Sequence, residues 1–138
     1  MSFKPLKDLN GQTAVITGAN GGIGRATAQA LAESGARIVG IAWRNIEDLQ
    51  TYLDQLPNGH LGHLAILADT TKTAQLDAAT QCITKCDILV NSAGFSRTIP
   101  HANIDALTDE FFDQMLTANL RSVFSTIRIF ASRLKQST

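Results

Sequence analysis

One junction restricts this chain more than any other feature. The run Thr13-Ala14-Val15-Ile16-Thr17 passes directly into Gly18-Ala19-Asn20-Gly21-Gly22-Ile23-Gly24. The apolar run reads as a buried strand, and the alanine-rich stretch from about Ile23 to Ser34 reads as a helix that Gly35 stops. Glycines at such a junction permit sharp turns and leave no Cβ where a backbone must approach a pyrophosphate. The helix behind them offers free N–H groups and the positive end of its dipole to that anion. Glycine turns follow strands in many proteins, so the junction gains weight only from what comes after it.

What comes after is a series of similar units. Arg37–Ala42 reads as a second strand, and Ile46 to Leu56 as a helix ended by Pro57-Asn58-Gly59. His63 to Ala68 gives a third strand and Thr73 to about Lys85 a third helix. The fourth strand, Asp87–Asn91, is closed by Ser92-Ala93-Gly94. A loop from Phe95 to about Leu107 then leads to Thr108, an N-cap backed by Asp109, Glu110 and Asp113, and to one long helix reaching about Leu134. Strands this apolar need both faces covered, which implies a parallel sheet between helices. Right-handed crossovers give an α/β, doubly wound, Rossmann-like fold of strand order 3-2-1-4. Its ligand site belongs at the carboxyl ends of the strands, beside the switch between the first and the fourth.

A length of 138 residues suits one domain over 1–138, and 44% hydrophobic with 17% charged residues is the balance of a globular chain. Twelve basic residues offset twelve acidic ones, so no electrostatic pull toward nucleic acid or an anionic membrane is expected. The segment MSFKPLKDLNG has no apolar core of a secretory signal, and no run approaches the roughly 20 residues that span a bilayer. A cytoplasmic location is expected. Cys82 and Cys86 stand four apart in the third helix, small core or boundary residues rather than a disulfide framework. His60 and His63 read as loop and strand-edge residues, so no metal site is expected.

The spacing from Thr17 to Gly24 is TGxxxGxG, and here the sequence resembles the short-chain dehydrogenase/reductase family. Because Gly21 is present, the same residues also fit TGxxGxxG of the extended, sugar-nucleotide-modifying branch. Later residues favour the short, single-domain branch. Asn91-Ser92-Ala93-Gly94 is similar to its NNAG motif, Asp69-Thr70 matches its Asp-Val/Thr pair, and Asn119-Leu120 matches its Asn-Leu. The resemblance implies a nicotinamide dinucleotide whose phosphates lie on Gly18, Asn20, Gly21, Gly22, Ile23 and Gly24. It implies an adenine amine held by Asp69 next to Thr70, and an adenine-ribose side lined by Asn91, Ala93 and Gly94.

The residues after the second strand decide which dinucleotide. An acid there would hold the ribose hydroxyls of NAD and repel the extra phosphate of NADP. This chain has Trp43-Arg44-Asn45, with no carboxylate before Glu47. Arg44 can offer a bidentate cationic fork to a 2′-phosphate and Asn45 a further donor, so NADP is expected over NAD; the other reading of Arg44 is a residue that simply caps a surface loop. The basic residue that NADP-preferring relatives often carry before the second motif glycine is absent; Gly21 stands there.

In the family a Tyr-x-x-x-Lys pair moves the proton while hydride moves to or from the nicotinamide, and a serine polarises the substrate carbonyl. The single tyrosine here is Tyr52, followed by Gln55 and Leu56 where a lysine would be needed, and it reads as a packing residue in the second helix. Asn119 is the one catalytic-tetrad position present; in the family its main-chain and side-chain groups hold a relay water. The other reading of Asn119 is a polar residue stabilising a bend in the long helix. The resemblance implies that the fifth strand and the Ser-Tyr-Lys half lie beyond Arg133-Leu134-Lys135-Gln136-Ser137-Thr138. The expectation is thus the amino-terminal half of an NADP-dependent oxidoreductase for carbonyl or alcohol substrates, inactive by itself. The alternatives are an inactive dinucleotide-binding or self-associating module that pairs through the open edge of the fourth strand, and a half complemented by a separate chain. Relatives of this kind are commonly dimers or tetramers through the long fourth-strand helix and the next one; only the first of these is here, which leaves a homo-oligomer as an open possibility. Phe95, Ser96 and Arg97 receive no role.

Overall fold

Thr13–Thr17 is buried along its whole length and forms β1, the strand on which the rest is hung. In this computed structural model, which describes residues 8–137, β1 has a parallel neighbour on each side. The first seven residues of the N-terminal segment read above for a signal lie outside the described residues. Strand β2, Arg37–Ala42, sets Gly40 opposite Ile16; β4, Ile88–Asn91, sets Asn91 opposite Thr17. Strand β3, Leu64–Leu67, adds to β2 with Ile66 opposite Ile41. The order is β3-β2-β1-β4, the order expected from the sequence.

Alternating side chains divide the core between the two sheet faces. Ala14, Ile16 and Ile38 pack with Ala28 and Ala32 of α1 (Gly22–Glu33) and with Leu49 and Leu53 of α2 (Ile46–Asp54). Val15, Val39 and Ile41 pack on the other face with Ala79 of α3 (Thr73–Thr80), with Ile83 and Cys86, and with Phe130 of α5 (Ser122–Lys135). Each fully buried Ile or Phe among these stabilises the fold by roughly 1.5–3 kcal/mol. Helix α1 buries only Gly24, Ala28 and Ala32, a small-residue stripe that brings it close to the sheet. A Cβ on Gly24 would stand 2.7 Å from the Cα of Ala19. That closeness sets the start of α1 tight against the turn that leaves β1.

Three elements differ from the sequence reading. The third helix stops at Thr80 instead of running to Lys85, and the chain unwinds through three-residue turns from Ala79 to Cys82 and from Thr80 to Ile83. The cause lies ahead: Asp87 is drawn onto β1, its N–H donating to the Thr13 carbonyl at 2.9 Å while its carboxylate accepts the Thr13 N–H at 2.7 Å. Cys82 and Cys86 therefore share no helix; the first is exposed and the second buried. The second helix closes at Asp54, with Gln55 and Leu56 in a tighter turn.

The long fourth-strand helix is the third difference. It begins at α4, Asp109–Leu116, capped as expected by the Thr108 hydroxyl, which accepts the Phe111 N–H. It then widens into a π turn over Thr117–Arg121 before α5. The Asn119 side chain donates to the Met115 carbonyl at 3.0 Å, the acceptor a regular turn would give to the Asn119 backbone. A side chain competing for its own i−4 carbonyl favours such a bulge. His63 is buried, its Nδ1 accepting the Ile38 N–H at 3.0 Å and its Nε2–H donating to the Pro57 carbonyl at 2.8 Å. It thus serves β2 where β3 has not yet begun.

Candidate dinucleotide site

At the carboxyl ends of β1, β2 and β4 the crossovers diverge to opposite faces, and the chain leaves a groove there. Two adjoining cavities of about 460 and 290 Å³ share Gly18, Ala42, Trp43, Ala93 and Gly94 as a common wall. The larger extends to Ala68, Asp69, Thr70, Thr71, Phe95 and Ala118. The smaller extends to Asn20, Gly21, Arg44, Asn45 and Ser92.

The floor is made by two backbone segments held close. Thr17 binds both sides of the fourth-strand exit: its carbonyl accepts the Ser92 N–H and its hydroxyl the Ala93 N–H, each at 3.2 Å. Gly18 crosses that exit with φ +65°, and a Cβ on it would meet Ala93 Cα at 2.7 Å. No other residue type satisfies both demands. Gly21 then caps α1 with no side-chain hydrogen bond, so the first-turn N–H groups carry no protein cap. At Gly22 a Cβ would meet nothing within 4 Å. An uncapped helix start facing open, Cβ-free space fits an anion of phosphate size. The residues present therefore fit a dinucleotide.

Asp69 has one carboxylate oxygen fully engaged, Oδ1 accepting the Thr71 N–H at 2.8 Å and the Thr71 hydroxyl at 2.7 Å. These bonds fix the carboxylate on the wall of the larger cavity. Trp43 stands across it, 64% exposed. Arg44 stacks its guanidinium 4.7 Å from the Trp43 ring centre, so the cation is held at the cavity rim. Asn45 adopts the left-handed region at φ 53°, and its carbonyl accepts the Asn20 Nδ2–H at 3.3 Å.

Of the residues singled out from sequence, Gly18, Asn20, Gly21, Arg44, Asn45, Asp69, Thr70, Ala93 and Gly94 lie on the cavity walls. Gly22, Ile23, Gly24 and Asn91 do not. Gly24 is buried against the Gly18-Ala19 turn, and Ile23 turns outward at 77% exposure. Asn91 has its Oδ1 taken by the buried Thr126 hydroxyl at 2.6 Å, which ties β4 to α5. Asn119 stands behind the wall that Ala118 lines, its amide bound to both backbone groups of Phe95. Sequence reasoning gave Trp43, Ala68 and Thr71 no role, although the first two follow the ends of β2 and β3, where the site was expected. Their position after an apolar run was the available signal.

Tyr52 lines neither cavity. Its hydroxyl donates to the Arg25 carbonyl at 2.8 Å, and burial raises its phenol above the usual range. That is a packing role. Among the described residues no cluster of His, Cys, Asp and Glu could hold a metal ion, and no helix is long and apolar enough to cross a membrane.

Fold and groove together are those of a doubly wound α/β protein with an open cleft at the carboxyl ends of its strands. Residues 12–138 match the short chain dehydrogenase family, and the chain belongs to it. It is 32% identical over 133 residues to the D-threitol dehydrogenase of Mycolicibacterium smegmatis, covering 94% of this chain and 50% of that one. It is 36% identical over 117 residues to a 3-oxoacyl-acyl-carrier-protein reductase of Rickettsia bellii, covering 85% and 46%. Among solved structures, a 3-ketoacyl-acyl-carrier-protein reductase of Brucella melitensis complexed with NADH superposes with TM-score 0.75 at 30% identity, over 93% of this chain and 52% of that one. A dehydrogenase/reductase of Sinorhizobium meliloti gives TM-score 0.79 at 31% identity, over 92% and 51%. The chain thus spans about half the length of the relatives it matches.

Proposed function

We propose that this chain is the dinucleotide-holding part of an NADP-dependent oxidoreductase that interconverts carbonyl and alcohol substrates. The observation that carries the reading is the groove at the β1/β4 switch, where an uncapped helix start and Arg44 border one cavity and Asp69 the cavity adjoining it. Gly18, Asn20, Gly21, Gly22, Ile23 and Gly24 would bring backbone to the phosphates. Arg44 and Asn45 would take the 2′-phosphate. Asp69, with Thr70 beside it, would accept from the adenine amine, and Asn91, Ala93 and Gly94 would shape the ribose side. The bound nicotinamide would supply or accept the hydride. Asn119 fits a supporting role, since its side chain fixes the loop leading from β4.

Proton transfer is assigned to none of these residues, because the one tyrosine, Tyr52, faces α1 and not the groove. The 138-residue chain by itself is therefore proposed to bind cofactor without turning over substrate. Titration of the chain with NADPH and NADH tests the first half of the reading: saturable binding, tighter for NADPH, is expected. Incubation with NADPH and a panel of aldehydes and ketones tests the second, and steady NADPH oxidation would refute it. The reading carries a cytoplasmic location, supported by two free thiols.

A second reading, self-association, is favoured by one observation. Phe112, Leu116, Leu120, Phe124 and Ile127 are exposed at helical spacing along α4, the π turn and α5. An apolar stripe of this length is uncommon on a solitary surface. Sedimentation over a hundredfold concentration range tests it: a fixed monomer mass would exclude a homo-oligomer.

A further inference from the structure

Arg25 is one layer behind the smaller cavity and joins three elements. Its Nε donates to the Asn20 carbonyl at 3.2 Å, and its terminal nitrogen bonds both the Asn20 Oδ1 and the Asp48 carboxylate. The Tyr52 ring lies 4.8 Å under the guanidinium, so the fork is supported from below. Asn20 carries the connection on to the Asn45 carbonyl. A chain of bonds, Asp48–Arg25–Asn20–Asn45, thereby clamps the phosphate loop to the turn after β2, and its last two members line the cavity.

The charges matter as much as the geometry. Asp48 belongs to the first turn of α2, directly behind Asn45, and its side chain is 63% exposed. Left unpaired, it would set a negative charge beside any phosphate on the 2′ position. Asp48 follows the cavity-lining Asn45 by three residues, one helical turn, and exposed charges act on each other within the ~8 Å screening length of physiological salt. Arg25 covers that carboxylate from α1.

We propose that Arg25 and Asp48 form a specificity-determining pair for the adenosine end of the dinucleotide. Arg25 neutralises Asp48 and holds Asn20 and Asn45 in place, so the wall accepts a 2′-phosphate. The proposal rests on the NADP-dependent reading above and adds to it two residues that line neither of the two adjoining cavities.

The test uses 2′,5′-ADP and 5′-AMP, which present the adenosine end with and without the second phosphate. Each is titrated against the full chain, with emission from Trp43, the only tryptophan and a wall residue, as readout. R25Q is expected to weaken 2′,5′-ADP about tenfold while 5′-AMP changes less than about threefold. D48N, which alters an exposed carboxylate and leaves Arg25 free, is expected to tighten 2′,5′-ADP about three- to fivefold with 5′-AMP nearly unmoved. R25Q/D48N is expected to regain most of the R25Q loss. If R25Q does not fold, D48N alone decides. Variants that move both ligands alike, or a D48N that leaves 2′,5′-ADP unchanged, overturn the pair while the NADP reading stands. An unmodified chain that prefers 5′-AMP, or binds neither ligand, overturns both.

Discussion

Asn119 holds Phe95 by both ends of its peptide: Oδ1 accepts the Phe95 N–H at 3.1 Å, and Nδ2 donates to the Phe95 carbonyl at 2.9 Å. One amide thus imitates a strand partner for the segment leaving β4, beside which the described residues form no further strand. The same Nδ2 reaches Met115, so the loop is tied to the π turn.

Replacing Asn119 by Leu removes these bonds at similar size. We expect a loss of about 1–3 kcal/mol in stability and faster amide exchange confined to residues 93–97. Thermal melts and hydrogen exchange measure the two effects. Unchanged exchange at Phe95 would show that the amide does not hold the loop.

Gly18 and Gly22 separate folding from binding. Gly18→Ala meets the Ala93 backbone in a positive-φ position and is expected to cost about 2–4 kcal/mol. Gly22→Ala meets no protein atom and gains helix propensity, so its melting temperature holds or rises. Its methyl enters the space assigned to phosphate, and NADPH affinity is expected to fall at least about tenfold. A Gly22→Ala chain that binds NADPH normally would exclude phosphate from that space.

Asp87 governs acid stability. Burial alone pushes its carboxyl up, but the bonds from the Thr13 N–H, Ser137 and Lys85 outweigh this and the net shift is down. A depressed folded value means the stabilisation is present above the ordinary carboxylate range, near pH 3.9, and is lost as pH falls through the folded value. Asp87→Asn should cost about 1–3 kcal/mol at neutral pH and flatten the stability curve below about pH 4. Parallel curves for the two proteins down to acid would contradict this assignment.

The two thiols should differ in reactivity. Burial, with the neighbouring Asp87 charge, raises Cys86 to about 11, while Cys82 is exposed. One equivalent of a thiol reagent is expected to react quickly in the native protein, and a second only after unfolding. Peptide mapping identifies the site, and labelling of Cys86 in the native state would refute its burial.

Strand order and the position of the groove were legible because continuous apolar runs report strands buried on both faces and glycines report tight turns. The end of α3 was not. Thr73 to Lys85 has acceptable helical residues throughout, and the stop at Thr80 is imposed by Asp87 bonding to Thr13, a partner 74 positions away. The reading of Asn119 as a polar residue at a bend marked the place of the π turn but not its partner, since the Phe95 backbone that the side chain binds lies 24 positions away. Arg25 escaped notice for a related reason. It lines no wall, and only the packing of α1 against α2 brings Asp48 to it.

The separation of β4 from its neighbour also fixes an order of events in time. Strands β1, β2 and β3 meet through short connections, whereas β4 must close a loop from Asp87 back to Thr13. Distant pairings of this kind form late, because chain entropy is lost before any contact repays it. Ser92, Ala93 and Gly94 reach the groove only with that last closure. During refolding, capture of the dinucleotide should therefore lag behind collapse of the first three strands, and the ligand would act as a clock for the final step.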